Sequence, residues 1–561
     1  MKKRALQQQH CKQPLLYAFT GGILALLLAG FASVDFSLPK TLWGDHTFLL
    51  VLAKNLMSHG LLWENSDIGR PGGFSMHAFP FPDMSQHAIL WLCTLTTKNP
   101  FQASNYYYVL VILCTYWSAF FALWKSFQNI LISLFGGILF LFVPYLVIRS
   151  HGHDYLTAYY AAPWTYIVCF MMTKQVTTNS PVRELALFLR NWEVLLGILI
   201  MSLSGVYYLA FSLMLICIYS FVIAIIDRPR IALKGTVVVL LCLIIFSIAM
   251  YPSMHFISTN NLDLPSRFFM EQTLYATKIS DLLWTWTQYF SPNQKFIDYM
   301  RDRSEREGYD FWPGLPLSIF SLASILFYPL WWKEREDTKS IKAILIFMIF
   351  SILYSMPYGL GLLFNALVTP VIRSQARISP FFTFGAILLL AHQLKQTLRD
   401  NVKIGCVLFL LTLINGWPYF GFYSLHQNQL IGSSTYQNEE KSIQNVLKAI
   451  HSKNLKQIVQ LPIEAWPEAP SHHAFMAYNH WLPYIFDTLP SSTSWSYGMM
   501  RHAPELAILF NAKNFLPLGF DGILIQKDGY NAQELQAVYA TLMTSAQTEY
   551  EDSSRHLLSL H

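Results

Sequence analysis

Four groups of residues have the types and spacing for chemistry. Asp45, in Trp43-Gly44-Asp45-His46, stands just beyond an apolar run and opens an amphipathic stretch. A carboxylate there can accept a proton from an attacking hydroxyl, and the neighbouring helix start offers backbone N–H groups to an anion. Asp is equally a common helix cap. His151, His153 and Asp154 form a dense polar group. Two imidazoles suit a transition metal, but no further spaced ligand accompanies them, so solvated surface polarity is the plain alternative. Between those readings lies an acid-plus-imidazole cluster that orients a sugar or activates an acceptor. Arg373 and Arg377, in Ile372-Arg373-Ser374-Gln375-Ala376-Arg377-Ile378, are four apart. That spacing predicts one helical face, and forked cations match a phosphate oxygen pair or snorkel to bulk lipid phosphate. Arg267, Glu271 and Lys278 either extend such a site or pair along a solvated face. Arg70, in the turn Gly69-Arg70-Pro71-Gly72-Gly73, and His46 complete the candidate substrate-binding set.

The elements that hold these residues are apolar. The 561 residues are 53% hydrophobic and 13% charged, against about 25% charged in soluble domains. Runs of about 20 apolar residues recur, long enough to cross a hydrocarbon core as helices. Eleven spans are expected, at about 15–34, 106–124, 130–148, 160–173, 185–203, 206–226, 235–255, 314–332, 341–357, 379–394 and 403–422. Eighteen of the 39 Lys and Arg fall in alternate short turns, which predicts a cytoplasmic amino terminus. The first apolar run is read as an uncleaved anchor, longer than a usual signal core. The seven cysteines lie mostly in spans, so no disulfide framework is implied. The net charge of +6 reflects the basic turns and carries no nucleic-acid signal. No internal repeat or low-complexity tract is evident.

Residues 1–422 therefore read as a transmembrane domain with large outer loops at 35–105 and 256–313, and 423–561 as an extracytoplasmic α/β domain. In the first loop, Thr47 to Leu62 predicts a helix lying on the membrane with one apolar face, and Pro80-Phe81-Pro82-Asp83 opens a second helix ending near Leu95. In the third outer segment, Trp284-Thr285-Trp286 predicts contact with headgroups, and Tyr207 and Tyr208 read as interface anchors. In the tail, 439–452 and 532–546 predict helices, and 457–463 and 522–526 predict buried strands.

Together these residues resemble the GT-C superfamily of membrane glycosyltransferases, which use sugars carried on polyprenyl phosphates. The resemblance covers the membrane region and rests on order, sidedness and spacing. It includes Asp45 in the first outer loop, His151-Gly152-His153-Asp154 followed by Pro163-Trp164, and the Arg373 to Arg377 segment. Leu461-Pro462 and Trp495-Ser496-Tyr497-Gly498 extend it into the tail. It implies an α-helical polytopic fold of the bacterial inner membrane and an inverting transfer of a sugar to a lipid or glycan acceptor at the outer face. Asp45 would be the general base, Asp154 a second catalytic-site residue that with His153 orients donor or acceptor, and Arg373 and Arg377 the phosphate grip. No cofactor is implied, and a divalent metal stays open because His46, not a second carboxylate, follows Asp45. Competing readings are a transporter or flippase of lipid-linked sugars and a non-catalytic envelope scaffold.

Overall fold

The computed structural model describes residues 2–42, 44–60, 63–78, 83–150, 152–174, 180–262, 267–278, 281, 311–331, 338–398, 400–466, 473–487, 493–499, 503–512, 515–542 and 546–560. His151 and the Trp284 to Trp286 cluster lie outside those residues. The chain begins with α1 (Lys2–Ala29), α2 (Asp45–His59), α3 (Met84–Thr94), α4 (Pro100–Phe127), α5 (Ile130–Leu141), α6 (Pro144–Ser150), α7 (Ala161–Thr173), α8 (Pro181–Leu189), α9 (Trp192–Leu203), α10 (Val206–Ile226) and α11 (Arg230–Thr259). It continues with α12 (Leu315–Trp331), α13 (Thr338–Ser355), α14 (Leu360–Leu367), α15 (Ser379–Leu398) and α16 (Asn401–Gly416).

Among the described residues, five helices are long and apolar enough to cross a membrane, or up to eight spans if each of three bent pairs counts as one. The bends have local causes. Pro144 opens α6 and marks the 42° turn from α5, whose own start is fixed by the Asn129 side chain accepting from the Leu131 and Ile132 amides. Asn191 caps α9 after a 70° turn from α8. The 13 residues of α7 reach only about 20 Å. That is shorter than a hydrocarbon core, and the helix is buried along most of its length, so it packs inside the bundle.

The tail opens with α17 (Phe422–Ile431) and α18 (Ser434–Ser452), then folds around a five-stranded sheet. Its strands are β1 (Gln457–Leu461), β2 (Ser494–Trp495), β3 (Gly522–Gln526), β4 (Ala546–Glu551) and β5 (Arg555–Leu560), in the order β2-β1-β3-β5-β4. The first three are parallel and the β3-β5 and β5-β4 pairs antiparallel. Successive side chains alternate between faces. Val459, Ile523, Ile525 and Leu558 pack with Leu506, Leu509 and Leu542, whereas Ile458, Leu524 and Leu557 join the core that includes Ile443, Val446 and Ile450 of α18. The helix expected to reach residue 546 ends at Leu542, and Ala546 begins an edge strand. β4 and β5 have no counterpart in the sequence reading.

One expectation fails instructively. The helix α2 was predicted to rest one apolar face on lipid, yet Phe48 to Ala53 are buried all round. The tail covers its second side. Phe48 packs 5.7 Å from the rings of both Trp466 and Trp481, and Lys54 donates to the Tyr484 and Asp487 carbonyls. The loop after α2 is tied down too: Gly69 and Arg70 amides donate to Tyr497 and Trp495 carbonyls, each at 3.0 Å. Gly498, with φ +124°, lets that backbone approach, since a Cβ would stand 3.3 Å from the Gly69 nitrogen.

Candidate functional site

Lys40, in the short segment between α1 and α2, is fully buried. Its ammonium contacts Asp154 Oδ1 at 2.9 Å, donates to the Tyr108 hydroxyl and the Ser150 carbonyl, and lies 3.8 Å from the Tyr108 ring centre. The other carboxylate oxygen of Asp154 meets His46 Nδ1 at 2.8 Å. All three side chains are 0% exposed. Burial alone would raise the Asp154 carboxyl, but Lys40 and His46 outweigh it and hold Asp154 below the usual range. Burial lowers His46, against the pull of Asp154, so the imidazole is neutral. Its Nδ1–H then donates to Asp154, leaving Nε2 a buried acceptor without a hydrogen-bond partner among the described residues.

Asp45 differs from Asp154 in every respect that matters to a proton acceptor. It is the first residue of α2, and the cap position is taken by Gly44 at φ +61°, so Asp45 is not the cap. The turn is held by the Asp45 amide donating to the Gly152 carbonyl at 2.9 Å. A Cβ on Gly44 would stand 3.0 Å from that same carbonyl oxygen. The Asp45 carboxylate is 45% exposed and meets His153 Nδ1 at 3.0 Å. Asp45 and His46 thus point to two neighbours, His153 and Asp154 respectively, on one loop: one carboxylate is sealed by a buried cation, the other is open to solvent.

Tyr155 ties these to a third carboxylate. Burial, reinforced by Asp83, Asp154 and Asp45 in that order, holds its hydroxyl protonated. Asp83 precedes α3 and packs against the Ser204-Gly205 break, where a Cβ on Gly205 would meet Asp83 Oδ1 at 2.3 Å. Burial pushes Asp83 up to about 7, against the opposing charge of Arg377. The Arg377 guanidinium lies 4.5 Å from the Tyr207 ring centre. Arg373 meets Glu271 at 3.1 Å and lies 5.2 Å from the ring of Tyr275. Partial burial works to raise Glu271, but the Arg373 bond, the Phe268 amide and the charges of Arg373 and Arg267 together outweigh that and lower it.

Sequence comparison assigns the membrane region. The family model described as "Domain of unknown function (DUF6311)" matches residues 88–414, more than half the chain. The chain belongs to the DUF6311 family. No curated protein matches it by sequence. Among solved structures, ArnT from Cupriavidus metallidurans bound to undecaprenyl phosphate aligns at TM-score 0.48 and 12% identity, over 98% of this chain and 97% of that one. The Archaeoglobus fulgidus oligosaccharyltransferase, in complex with Zn and sulfate, aligns at TM-score 0.48 and 11% identity, over 97% of this chain and 73% of that one. The apo state of the same ArnT aligns at TM-score 0.40 and 12% identity, over 100% and 98%.

In this DUF6311 chain the fold pairs Asp45 with His153 and His46 with Asp154, sets Arg377 beside Tyr207 and within the charge of Asp83, and pairs Arg373 with Glu271, whose charge Arg267 also meets. Arg70 is held at the tail, its Nε buried without a hydrogen-bond partner among the described residues. Solvated surface polarity does not describe Asp154, which is wholly enclosed. The two arginines do not share a helical face. Residues 375–378 form a 3-10 turn, in which positions four apart diverge, and Arg373 precedes it. Tyr208 is not an interface anchor: it is buried, bonded to the Leu156 carbonyl and 3.0 Å from the Tyr145 hydroxyl, whereas the Tyr207 ring lies against Arg377. Among the described residues, no three His, Cys, Asp or Glu side chains are grouped to hold a metal ion. Lys40 and Asp83 were not singled out from sequence.

Proposed function

We propose that this protein is a membrane glycosyltransferase of the GT-C kind, moving a sugar from a polyprenyl-phosphate donor to an acceptor hydroxyl at the outer face of the bacterial inner membrane. The amino terminus is cytoplasmic and the tail extracytoplasmic. The observation that carries the reading is the division of labour between neighbouring carboxylates: Asp45 is 45% exposed beside His153, whereas Asp154 is sealed by Lys40 and His46.

Asp45 takes the acceptor proton as the hydroxyl attacks the anomeric carbon from the side opposite the phosphate, so the configuration inverts. Asp154 is a positioning residue: locked by two partners, it fixes the His153-Asp154 loop and so the imidazole that orients Asp45. The departing phosphate gains charge as the glycosidic bond breaks. Arg377 and Arg373 meet that charge, and no cofactor is assigned. The tail, clamped to α2 through Phe48, Trp466 and Trp481, holds the catalytic helix in place and borders the acceptor side.

Binding tests the phosphate half of this reading. Purified protein should bind a fluorescent polyprenyl phosphate, and Arg373→Gln with Arg377→Gln should weaken it by about tenfold or more, as loss of charge-assisted bonds implies. Unaltered affinity in a folded double variant would remove the arginines from the donor site.

A further inference from the structure

The end of the bundle opposite Asp45 holds a cavity of its own. The helix α4 starts beside the candidate site, where Asn105 donates to the Phe36 and Leu38 carbonyls, and ends at Phe127 on the far side. There a cleft of about 810 Å³ opens between the ends of α4, α7, α10, α13 and α15. That volume falls within the ~300–1,000 Å³ common for ligand pockets.

Its lining is cationic at the rim and apolar at the floor. Lys125, Arg228, Lys339 and Lys395 line it with His392, against one lining carboxylate, Asp227. Asp227 holds Lys339 at 2.8 Å and lies 3.6 Å from Arg228 Nε, and Glu193 holds Lys125 at 2.5 Å. Among the described residues, four cations therefore meet two carboxylates, leaving two positive charges in excess. Lys395 donates to the Phe127 carbonyl at 3.2 Å. Beneath them lie Phe170, Ile223, Ile341, Ile344 and Leu388.

We propose that this cleft is a binding site for the phosphate headgroup of an anionic phospholipid. The surplus cations meet the phosphate, Ser126 and Ser340 add hydroxyls at the rim, and the apolar floor receives the glycerol end of the acyl chains. A free phosphate would leave that floor wet, which favours a lipid. Basic pockets between helices at one membrane face are a recognised form of headgroup site. The site is independent of the transfer chemistry and lies on the far face of the membrane domain from it.

The full chain would be reconstituted into nanodiscs of phosphatidylcholine with phosphatidylglycerol, and retained lipid counted by native mass spectrometry. Wild type should retain phosphatidylglycerol above its bulk share. Each cation removed should cut retention about fivefold, so K339Q/K395Q should cut it about twenty-five-fold. Equal retention in the folded double variant overturns the site, as does binding of soluble glycerol phosphate as tight as that of the lipid. A photoactivatable phosphatidylglycerol tests the wild-type protein without substitution. Labelled peptides around Lys125 and Ser340 support the site, and labels confined to other helices overturn it.

Discussion

Replacing Lys40 with Met, which has similar length and no charge, leaves the Asp154 carboxylate fully buried without its cation, and deprives the Tyr108 hydroxyl and the Ser150 carbonyl of a partner. Breaking a buried pair from one side costs about 3–5 kcal/mol. Two further charge-assisted bonds are lost as well, which places Lys40→Met near the top of that range, a change of about 10³ or more in the folding equilibrium. Lys40→Met with Asp154→Asn removes both charges while the Asn carbonyl can still accept from His46 Nδ1. The double variant should recover at least about 2 kcal/mol, because the uncompensated buried charge is gone. Reversible unfolding in mixed micelles, followed by tryptophan fluorescence, measures each corner of the cycle. A Lys40→Met cost below about 1 kcal/mol, the range of exposed pairs, would refute the buried-pair account. So would a double variant as unstable as the sum of the singles.

Asp83, raised by burial to about 7 beside Arg377, should make lipid-phosphate binding depend on pH. Below that value Asp83 is neutral and Arg377 is unopposed, so a lipid phosphodiester, which does not titrate in this window, should bind more tightly at pH 6 than at pH 8. Asp83→Asn should bind alike at both, and a persistent pH difference in that variant would contradict the assignment. Glu271 competes with phosphate for Arg373, so Glu271→Gln should tighten polyprenyl phosphate binding about two- to fivefold, the worth of a part-exposed pair; fluorescence titration reads the sign, and weakening would mean Glu271 positions Arg373 instead. Gly44→Ala, forced to φ +61° against the Gly152 carbonyl, should cost about 1–3 kcal/mol of stability, measured by thermal unfolding, and displace Asp45.

The helices α4, α10, α11, α15 and α16 and the tail strands β1 and β3 were legible because their apolar runs are long or bounded by turn residues, whereas α7, expected as a span, is too short for one. The strand β4 was not, since Ala546 to Glu551 is polar and pairs at a sheet edge, where little burial marks it; β5, Arg555 to Leu560, is buried on both faces and so lacks the polar–apolar alternation that would mark it. The pairing of α2 with the tail was hidden for another reason. An apolar face reads the same whether lipid or protein will cover it, and Phe48 carries no mark of Trp466 and Trp481. At the site, Asp45 and the His153-Asp154 step were visible as residue types, but their contrasting environments arise from Lys40, 114 residues before Asp154. The spacing of Arg373 and Arg377 suggested a helix, whereas the chain enters α15 through a 3-10 turn, which sends them to different partners.

The most direct test of the account is transfer itself. Membranes carrying wild type or Asp45→Asn would be supplied with a polyprenyl-phosphate-linked radiolabelled sugar, and release of polyprenyl phosphate and labelling of the acceptor followed together. Loss of the general base should slow transfer by about 10²- to 10⁴-fold, while polyprenyl phosphate binding stays at the wild-type level. Transfer at the wild-type rate by folded Asp45→Asn protein would contradict the assignment of Asp45 as the base.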